Sequence, residues 1–310
     1  MQKKGIACKR FRRLLHVGFF AAMIILAVAL LRTPVYGKNA SKKEIWTVTQ
    51  YGREDAPRQS MFYTVVNSSG KLMVIDGGWR YEADTVRSVI RSLGNKVAVW
   101  IITHPHPDHV GALTEILGNN YTNISIGVIY SPKTRAKQYK ATQKPWDEYS
   151  IYEQFNALAK KTKKLKYLQE GDGRKVLGLE LKVLNGWDKS IDQYKKNQCN
   201  YGSLMFKLKG QKRSFLFCGD VSKSRGKRIV KKYRKELKST FVQCGHHGNW
   251  GLTKRFYDYV QPKAAFVDAP KSITEDKTGK YDAPALIAYL KEKNIKVYKY
   301  ASGKKSVQIW

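Results

Sequence analysis

Apolar residues fall in short blocks along most of this chain, and each block is cut off by glycine, proline or small polar residues. Residues 45–49 and 61–66 read as strands, and the turn Asn67-Ser68-Ser69-Gly70 leads into a third at 72–75. Helical spacing over about 82–93 precedes an apolar strand at 97–102, a helix-spaced run at 110–117 and a strand at 124–130. Beyond these, strands are expected at 176–184, 204–208 and 214–217, a basic helix at about 222–237, and a short apolar strand from Phe241. A strand at 264–267, a helix near 283–293 and strands at 296–300 and 306–309 close the chain. Strand-rich stretches broken by single helices, with no repeat period and no long linker, predict one layered α/β domain.

One region departs from that rhythm. Residues 133–166 are basic and aromatic, with Arg135, Lys137, Lys140, Lys144, Trp146, Tyr149 and Tyr152 interleaved. Ile151, Phe155, Leu158 and Ala159 have helical spacing and are expected to face a core, with Lys160, Lys161, Lys163 and Lys164 near the helix's C-terminal end. Interleaved cations and aromatics suit a phosphate backbone with stacked bases, and equally a solvated helix face.

Charge changes the picture further. The 310 residues carry 58 basic and 24 acidic side chains, a net +34. An anionic partner accounts for such a balance: nucleic acid, an anionic cell-wall polymer or a lipid surface. Part of it lies at the start, where Lys3, Lys4, Lys9, Arg10, Arg12 and Arg13 precede an apolar run from Val17 to Leu31, followed by a boundary near Val35 and Gly37. That order is the one found in secretory signals, and a run of this length also suits an uncleaved anchor. Residues 1–37 are therefore expected to be a signal peptide or membrane anchor, and 38–310 an extracytoplasmic domain, secreted or anchored, that meets the membrane only through the N-terminal segment. Residues 1–37 hold seven basic and no acidic residues, so 51 basic and 24 acidic remain, a balance of +27. With Cys8 in the signal, Cys199, Cys218 and Cys244 leave either one disulfide and a free thiol or three buried thiols.

The chemistry concentrates after the strand at 97–102. His104-x-His106-x-Asp108-His109 puts four metal-capable side chains within six residues, in a loop stiffened by Pro105 and Pro107 at a strand's carboxyl end. Imidazoles and a carboxylate alternating in this way suit zinc, iron or manganese. Two more strands end in ligand-type residues beside glycine: Cys218-Gly219-Asp220, and Cys244-Gly245-His246-His247-Gly248. Five of the six histidines fall in two of these three places, while His16 belongs to the N-terminal segment. The strand at 72–75 also ends in Asp76-Gly77-Gly78, which lets backbone approach a site closely. A second ion would need more ligands than the first cluster holds, and Asp220 could bridge two ions with its two oxygens.

Together, His104-x-His106-x-Asp108-His109, Asp76-Gly77-Gly78, Gly219-Asp220 and Gly245-His246-His247-Gly248 resemble the metallo-β-lactamase fold, in the form of the hydrolase-like domain of ComEC/Rec2 competence proteins. Asn200-Tyr201-Gly202-Ser203-Leu204 is similar to a further strand of that subgroup, and the resemblance spans about 44–270. It implies a four-layer αββα sandwich with two divalent ions, zinc or manganese, along one edge of its sheets. His104 and His106 would face one ion and Asp108 and His109 the other, with Asp220 bridging. His246 would complete the second site, with His247 as its substitute. Asp76, Asn200 and Ser203 would support these ligands from behind. No histidine lies between His109 and His246, so the first ion has fewer ligands than the superfamily pattern provides.

The expectation is an exported hydrolase in which Asp108 orients water or takes its proton, and His247 or Asn249 meets the leaving group. Phosphodiester bonds of DNA are the leading substrate. Teichoic acid, phosphorylcholine or another ester is the alternative with the same site, and a catalytically weak DNA- or wall-polymer-binding module is the alternative of another class.

Overall fold

Why so many strands lack polar alternation becomes clear from their surroundings. The computed structural model describes residues 44–119 and 123–310, so the N-terminal segment, with Cys8, His16 and the boundary at 37, lies outside the described residues. Strands β1 (Trp46–Gln50), β2 (Phe62–Asn67), β3 (Leu72–Asp76), β4 (Lys96–Ile101), β5 (Ser125–Pro132) and β6 (Leu165–Leu168) follow one another across the first sheet. The second runs in the order β13-β12-β11-β10-β9-β8-β7, built from β7 (Gly173–Val176), β8 (Leu179–Asn185), β9 (Met205–Lys209), β10 (Ser214–Phe217), β11 (Phe241–Gln243), β12 (Ala264–Val267) and β13 (Lys296–Lys299). The last strand, β14 (Lys305–Ile309), returns to the first sheet and pairs antiparallel with β1.

In both sheets the strands leading to the candidate site are parallel to at least one neighbour and buried on both faces. In β3, Met73 and Ile75 turn between the sheets, whereas Leu72 and Val74 turn outward to helices, so all four must be apolar. Between the sheets, Tyr63, Phe206, Phe215, Phe217 and Phe266 form an aromatic cluster in which Phe215 and Phe217 stack at 4.3 Å. Each such side chain stabilises the fold by roughly 1.5–3 kcal/mol through burial.

Helices cover both outer faces. Helices α1 (Ala83–Ser92) and α2 (Pro107–Gly118), then α3 (Ala136–Thr142) and α4 (Tyr149–Lys161), lie on the first sheet's side of the sequence. Val86, Ile90, Val110, Leu113 and Phe155 from α1, α2 and α4 pack on Leu72, Val74, Trp100 and Ile102. After the short α5 (Gln198–Tyr201), helices α6 (Lys223–Tyr233), α7 (Lys254–Val260), α8 (Lys271–Thr274) and α9 (Ala283–Glu292) supply Ile229, Tyr233, Phe256, Tyr257, Val260, Leu286 and Leu290 against Leu216, Val242, Ala265 and Val267. The order of layers is α, β, β, α, as expected.

Two local features differ from the sequence-based expectation, and a third settles an alternative it left open. Residues 176–184 are two strands, not one: Leu177 and Gly178 both take positive φ and turn β7 back on β8 as a two-residue hairpin. The lysine-rich end of the basic region includes β6, an edge strand whose Leu165 and Leu168 were hidden among lysines. The three cysteines are free and buried, which decides the open alternative in favour of three thiols. Cys218 and Cys244 sit in the helix-side core of the second sheet, and burial pushes the Cys244 thiol up to about 12. Among the described residues no helix is long and apolar enough to cross a membrane.

Candidate metal centre

The C-terminal ends of β3, β4, β10 and β11 deliver acidic and imidazole side chains to one place between the sheets' edges. After β4, Thr103 and the proline-flanked loop lead into α2, whose first turn carries Asp108 and His109, both buried. After β10, Gly219 takes φ +50° and is followed by Asp220, whose backbone N–H donates to Ser203 Oγ at 3.0 Å. A Cβ on Gly219 would lie 2.7 Å from that same oxygen, so the turn requires glycine. After β11, His246 and His247 both adopt left-handed backbone.

His109 is the hub. Its Nε2 lies 3.3 Å from Asp220 Oδ1, 3.8 Å from Asp108 Oδ1 and 3.2 Å from His247 Nε2. His247 Nε2 lies 3.2 Å from Asp108 Oδ2 and 3.3 Å from Asp220 Oδ2. His104 Nε2 faces Asp220 Oδ2 from 3.8 Å. Two sets of donor atoms, from His104, His109 and Asp220 and from Asp108, His109 and His247, each fall within 4.8 Å of one another.

Three of the imidazoles are held from behind by the nitrogen that does not face the centre. His109 Nδ1 sits 2.7 Å from Asp76 Oδ2, and Asp76 also accepts from the Thr103 N–H and hydroxyl at 2.6 Å each. Asp76 is wholly buried with φ +53°, a left-handed conformation an aspartate tolerates better than most side chains. His106 Nε2 sits 2.8 Å from Asp147 Oδ1, which leaves Nδ1 as its remaining donor. His246 Nδ1 is engaged by the Asn249 carbonyl. Such carboxylate–imidazole and carbonyl–imidazole pairs fix the ring that a metal would need.

The electrostatics agree with a cation site. Burial alone would suppress charge on every group here. Burial works to lower His109, yet Asp220, Asp108 and Asp76 outweigh it and raise that imidazole well above its ordinary value. Against the same burial, Asp220 and Asp108 likewise hold His247 up at about 10. Burial would raise Asp108, but His109 and His247 bring it down to about 2. Asp220 is held well below the carboxylate range, against its burial, by His247, His109 and His104. His104 goes the other way: burial and then the neighbouring His109 push it well below its usual value, so it is a neutral lone-pair donor. Its Nε2 and Asp220 Oδ1 are buried polar atoms without a hydrogen-bond partner. Buried atoms of this kind demand a partner, and an oxygen–imidazole donor set fits a divalent ion.

The expected residues are not all brought together equally. His104, Asp108, His109 and Asp220 converge, with Asp76 and Ser203 behind them. His246 and His247 exchange places relative to expectation: His247 is buried against both carboxylates, while His246 is 27% exposed and its Nε2 reaches only to 3.8 Å from Asp220. The cause is the successive left-handed residues at 246 and 247, which rotate the first ring outward. His106 faces Asp147 and stands outside the two tightest donor sets. Asn200 is buried with its amide oxygen unpartnered, and its link to this set is through the backbone, where its carbonyl accepts from the Ser203 N–H at 3.4 Å.

Two residues carry no signal that ties them to the site in the sequence. Asp147 lies in a turn after α3 inside the basic, aromatic stretch, and its Oδ2 accepts the Lys144 N–H at 2.5 Å. Pro145 and the spacing from Lys144 to Asp147 mark the turn, although nothing in the sequence links it to His106. Asp268, just beyond β12, accepts from Gln50 and the Tyr63 hydroxyl at 2.7 Å each, and burial raises it to about 6 against the pull of His247. Its only mark is one more strand ending in an acid.

Comparison with known proteins agrees with this geometry. Residues 56–175 match the metallo-beta-lactamase superfamily. No curated protein is matched by sequence. Among solved structures, the metallo-beta-lactamase fold protein YhfI from Bacillus subtilis aligns over 84% of this chain and 100% of its own, at TM-score 0.51 and 11% identity. CmlA, a diiron beta-hydroxylase from Streptomyces venezuelae, aligns over 85% of this chain and 54% of its own, at TM-score 0.53 and 11% identity. Likeness at this identity establishes the fold and leaves the reaction open, as a hydroxylase among the neighbours illustrates. Over residues 56–175 the chain is similar to the metallo-beta-lactamase superfamily, and its two sheets flanked by helices are consistent with the αββα sandwich of that fold.

Proposed function

We propose that this protein is an exported, metal-dependent phosphodiesterase of the competence type, acting on DNA outside the membrane. The observation that carries the hydrolase reading is the convergence of Asp108, His109, Asp220 and His247, whose facing atoms lie 3.2–3.8 Å apart. The choice of substrate is supported by the balance of +27 outside residues 1–37, from 51 basic and 24 acidic side chains, and by the motif order of the sequence. Lysine and arginine give sequence-independent affinity for a phosphate backbone that falls steeply with salt.

His104, His109, Asp220, Asp108 and His247 would hold divalent ions, with Nδ1 of His106 as a further donor on the rim. Such ions supply Lewis acidity toward a phosphoryl oxygen and activate water near neutral pH. The chain's own residues do the rest. Asp76 engages Nδ1 of His109 and turns its Nε2 to the centre, and Asp147 engages Nε2 of His106 and leaves its Nδ1 for an ion. Asp108, kept ionised, accepts a proton or a hydrogen bond from the attacking water. His246, the most exposed imidazole here, would present Nε2 to a leaving oxygen.

The test measures metal content and cleavage together. Purified protein should contain zinc or manganese and cut single- or double-stranded DNA, and Asp220→Ala and His247→Ala should abolish cutting. Variants that cut as fast as the parent would refute this site. Parallel turnover of a bis-aryl phosphodiester, a lactone and a phosphorylcholine ester separates phosphodiester from other ester chemistry.

A second reading has its own observation. His106 is committed to Asp147, and no histidine between 109 and 246 completes the first ion's set. A domain that holds DNA or wall polymer without cutting it would bind DNA equally with and without metal, and would cleave under no divalent ion.

A further inference from the structure

Helix α6 carries six cations, Lys223, Arg225, Lys227, Arg228, Lys231 and Lys232, and they divide by face. On one side Arg225 Nη2 pairs with Asp188 Oδ2 at 2.6 Å, and Arg228 and Lys232 each reach Glu170 at 2.7 Å. Those charges are neutralised within the protein. Lys227 and Lys231, one helical turn apart, point away from these carboxylates into a cleft of about 520 Å³ between α6 and α7. Arg234 and, from α7, Arg255 and Tyr259 complete its rim, over Gly226, Val230 and Phe256. Among the described residues none of Lys227, Lys231, Arg234 and Arg255 has a carboxylate within 4.0 Å, unlike their neighbours on the helix.

The cleft adjoins a second cavity that reaches the loop following the paired histidines. That cavity, of about 330 Å³, shares Thr253 and Arg255 with the cleft and extends to Gly248 and Gly251. Its one acidic wall residue, Asp282, is already paired with Lys223 at 3.3 Å. Within the larger cleft the Arg234 guanidinium lies 5.8 Å from the centre of the Tyr259 ring, and Arg234 and Arg255 together hold the phenol below its ordinary value.

We infer that this trench is a binding track for the phosphate backbone of single-stranded DNA, leading along α6 and α7 to the histidine loop. The occupant rests on the phosphodiesterase reading above, while the anionic chemistry rests on the cleft itself. Four cations without a carboxylate partner along one cleft suit a chain of phosphates better than one small anion, and cations beside an aromatic face are what single-strand-binding grooves combine. Tyr259 offers an aromatic face beside that backbone.

The test is binding without cleavage. The full chain is titrated with a fluorescently labelled oligothymidylate in the presence of a chelator, and anisotropy is followed as salt is raised. Lys227→Glu with Lys231→Glu should raise Kd at least about tenfold at low salt and flatten the log Kd–log salt slope by about 0.7 for each phosphate left without its lysine. Lys160→Glu with Lys164→Glu makes the same change in net charge on the opposite helical layer and should shift Kd far less. The milder Lys227→Gln with Lys231→Gln should fall between the parent and the glutamate pair, with an unchanged circular dichroism spectrum. If the two glutamate pairs weaken binding equally, or neither does, the track is wrong. If poly(glycerol phosphate) displaces the oligonucleotide at lower phosphate concentration than unlabelled DNA, the assignment to DNA falls. Because no cleavage is measured, a catalytically inert protein could still pass this test, and an active nuclease could fail it.

Discussion

Nε2 of His106 lies 2.8 Å from Oδ1 of Asp147, and both side chains are almost wholly buried. The contact ties the basic insertion between β5 and β6 to the loop of the metal motif. It also selects Nδ1 as the His106 atom left for an ion. Asp147→Ala should therefore lower divalent-metal affinity by roughly 10–100-fold. Asp147→Asn, which keeps an acceptor for the ring, should recover part of the loss. A chelator-competition titration reads both, and affinities equal to the parent's would show that His106 plays no part in holding an ion.

The paired histidines make different predictions. His247 Nε2 touches both Asp108 and Asp220, whereas His246 reaches only Asp220 and is partly exposed. His247→Ala should remove about one equivalent of bound metal per chain, an expected loss when one of three or four protein ligands goes. His246→Ala should retain more metal and lose turnover instead. Elemental analysis of the purified variants beside the parent decides it, and the reverse ranking would return the ligand role to His246.

What the sequence could reveal depended on how local the cause was. The loop from His104 to His109 was readable because its ligands lie within six residues and follow an apolar strand. Asp220 was readable because glycine and a strand end mark it. The choice between His246 and His247 was not, since it turns on two successive left-handed residues, a conformation that sequence does not encode at a histidine pair. Asp147 was hidden for another reason: its partner lies 41 residues away, and the lysines and tyrosines around it point to a solvated face. The hairpin at Leu177 was missed because a leucine stands where an asparagine or glycine would have announced the turn.

Asp76 offers a stability test. Its carboxylate accepts from the Thr103 N–H, the Thr103 hydroxyl and His109, all buried. Asp76→Ala leaves those donors unsatisfied and removes the side-chain hydrogen bonds that offset a left-handed backbone at φ +53°. The expected loss is about 2–4 kcal/mol in urea unfolding of the metal-free protein. Asp76→Asn should lose less, because asparagine accepts in the same place and tolerates the backbone. A cost for the alanine variant under about 1 kcal/mol would mean that water replaces the carboxylate.

Glu170 gives a pH dependence independent of the metal centre. Burial works to raise its carboxyl, but Arg228, Lys232 and Tyr233 donate to it and hold it below its ordinary value. A carboxyl whose folded value is depressed binds its proton more weakly folded than unfolded. Its pairing therefore contributes full stability above the unfolded value near about 4.3, and loses it as pH falls through the lower folded value. Glu170→Gln removes that titration and leaves every other group in place. Urea midpoints of parent and variant measured across the acid range should differ most near neutral pH and converge below about 4. Parallel curves would show that the α6 cations gain nothing from Glu170. Asp188 is depressed in the same way by Ser190 and Arg225 against its burial, so the convergence should persist, at a smaller offset, in an Asp188→Asn background.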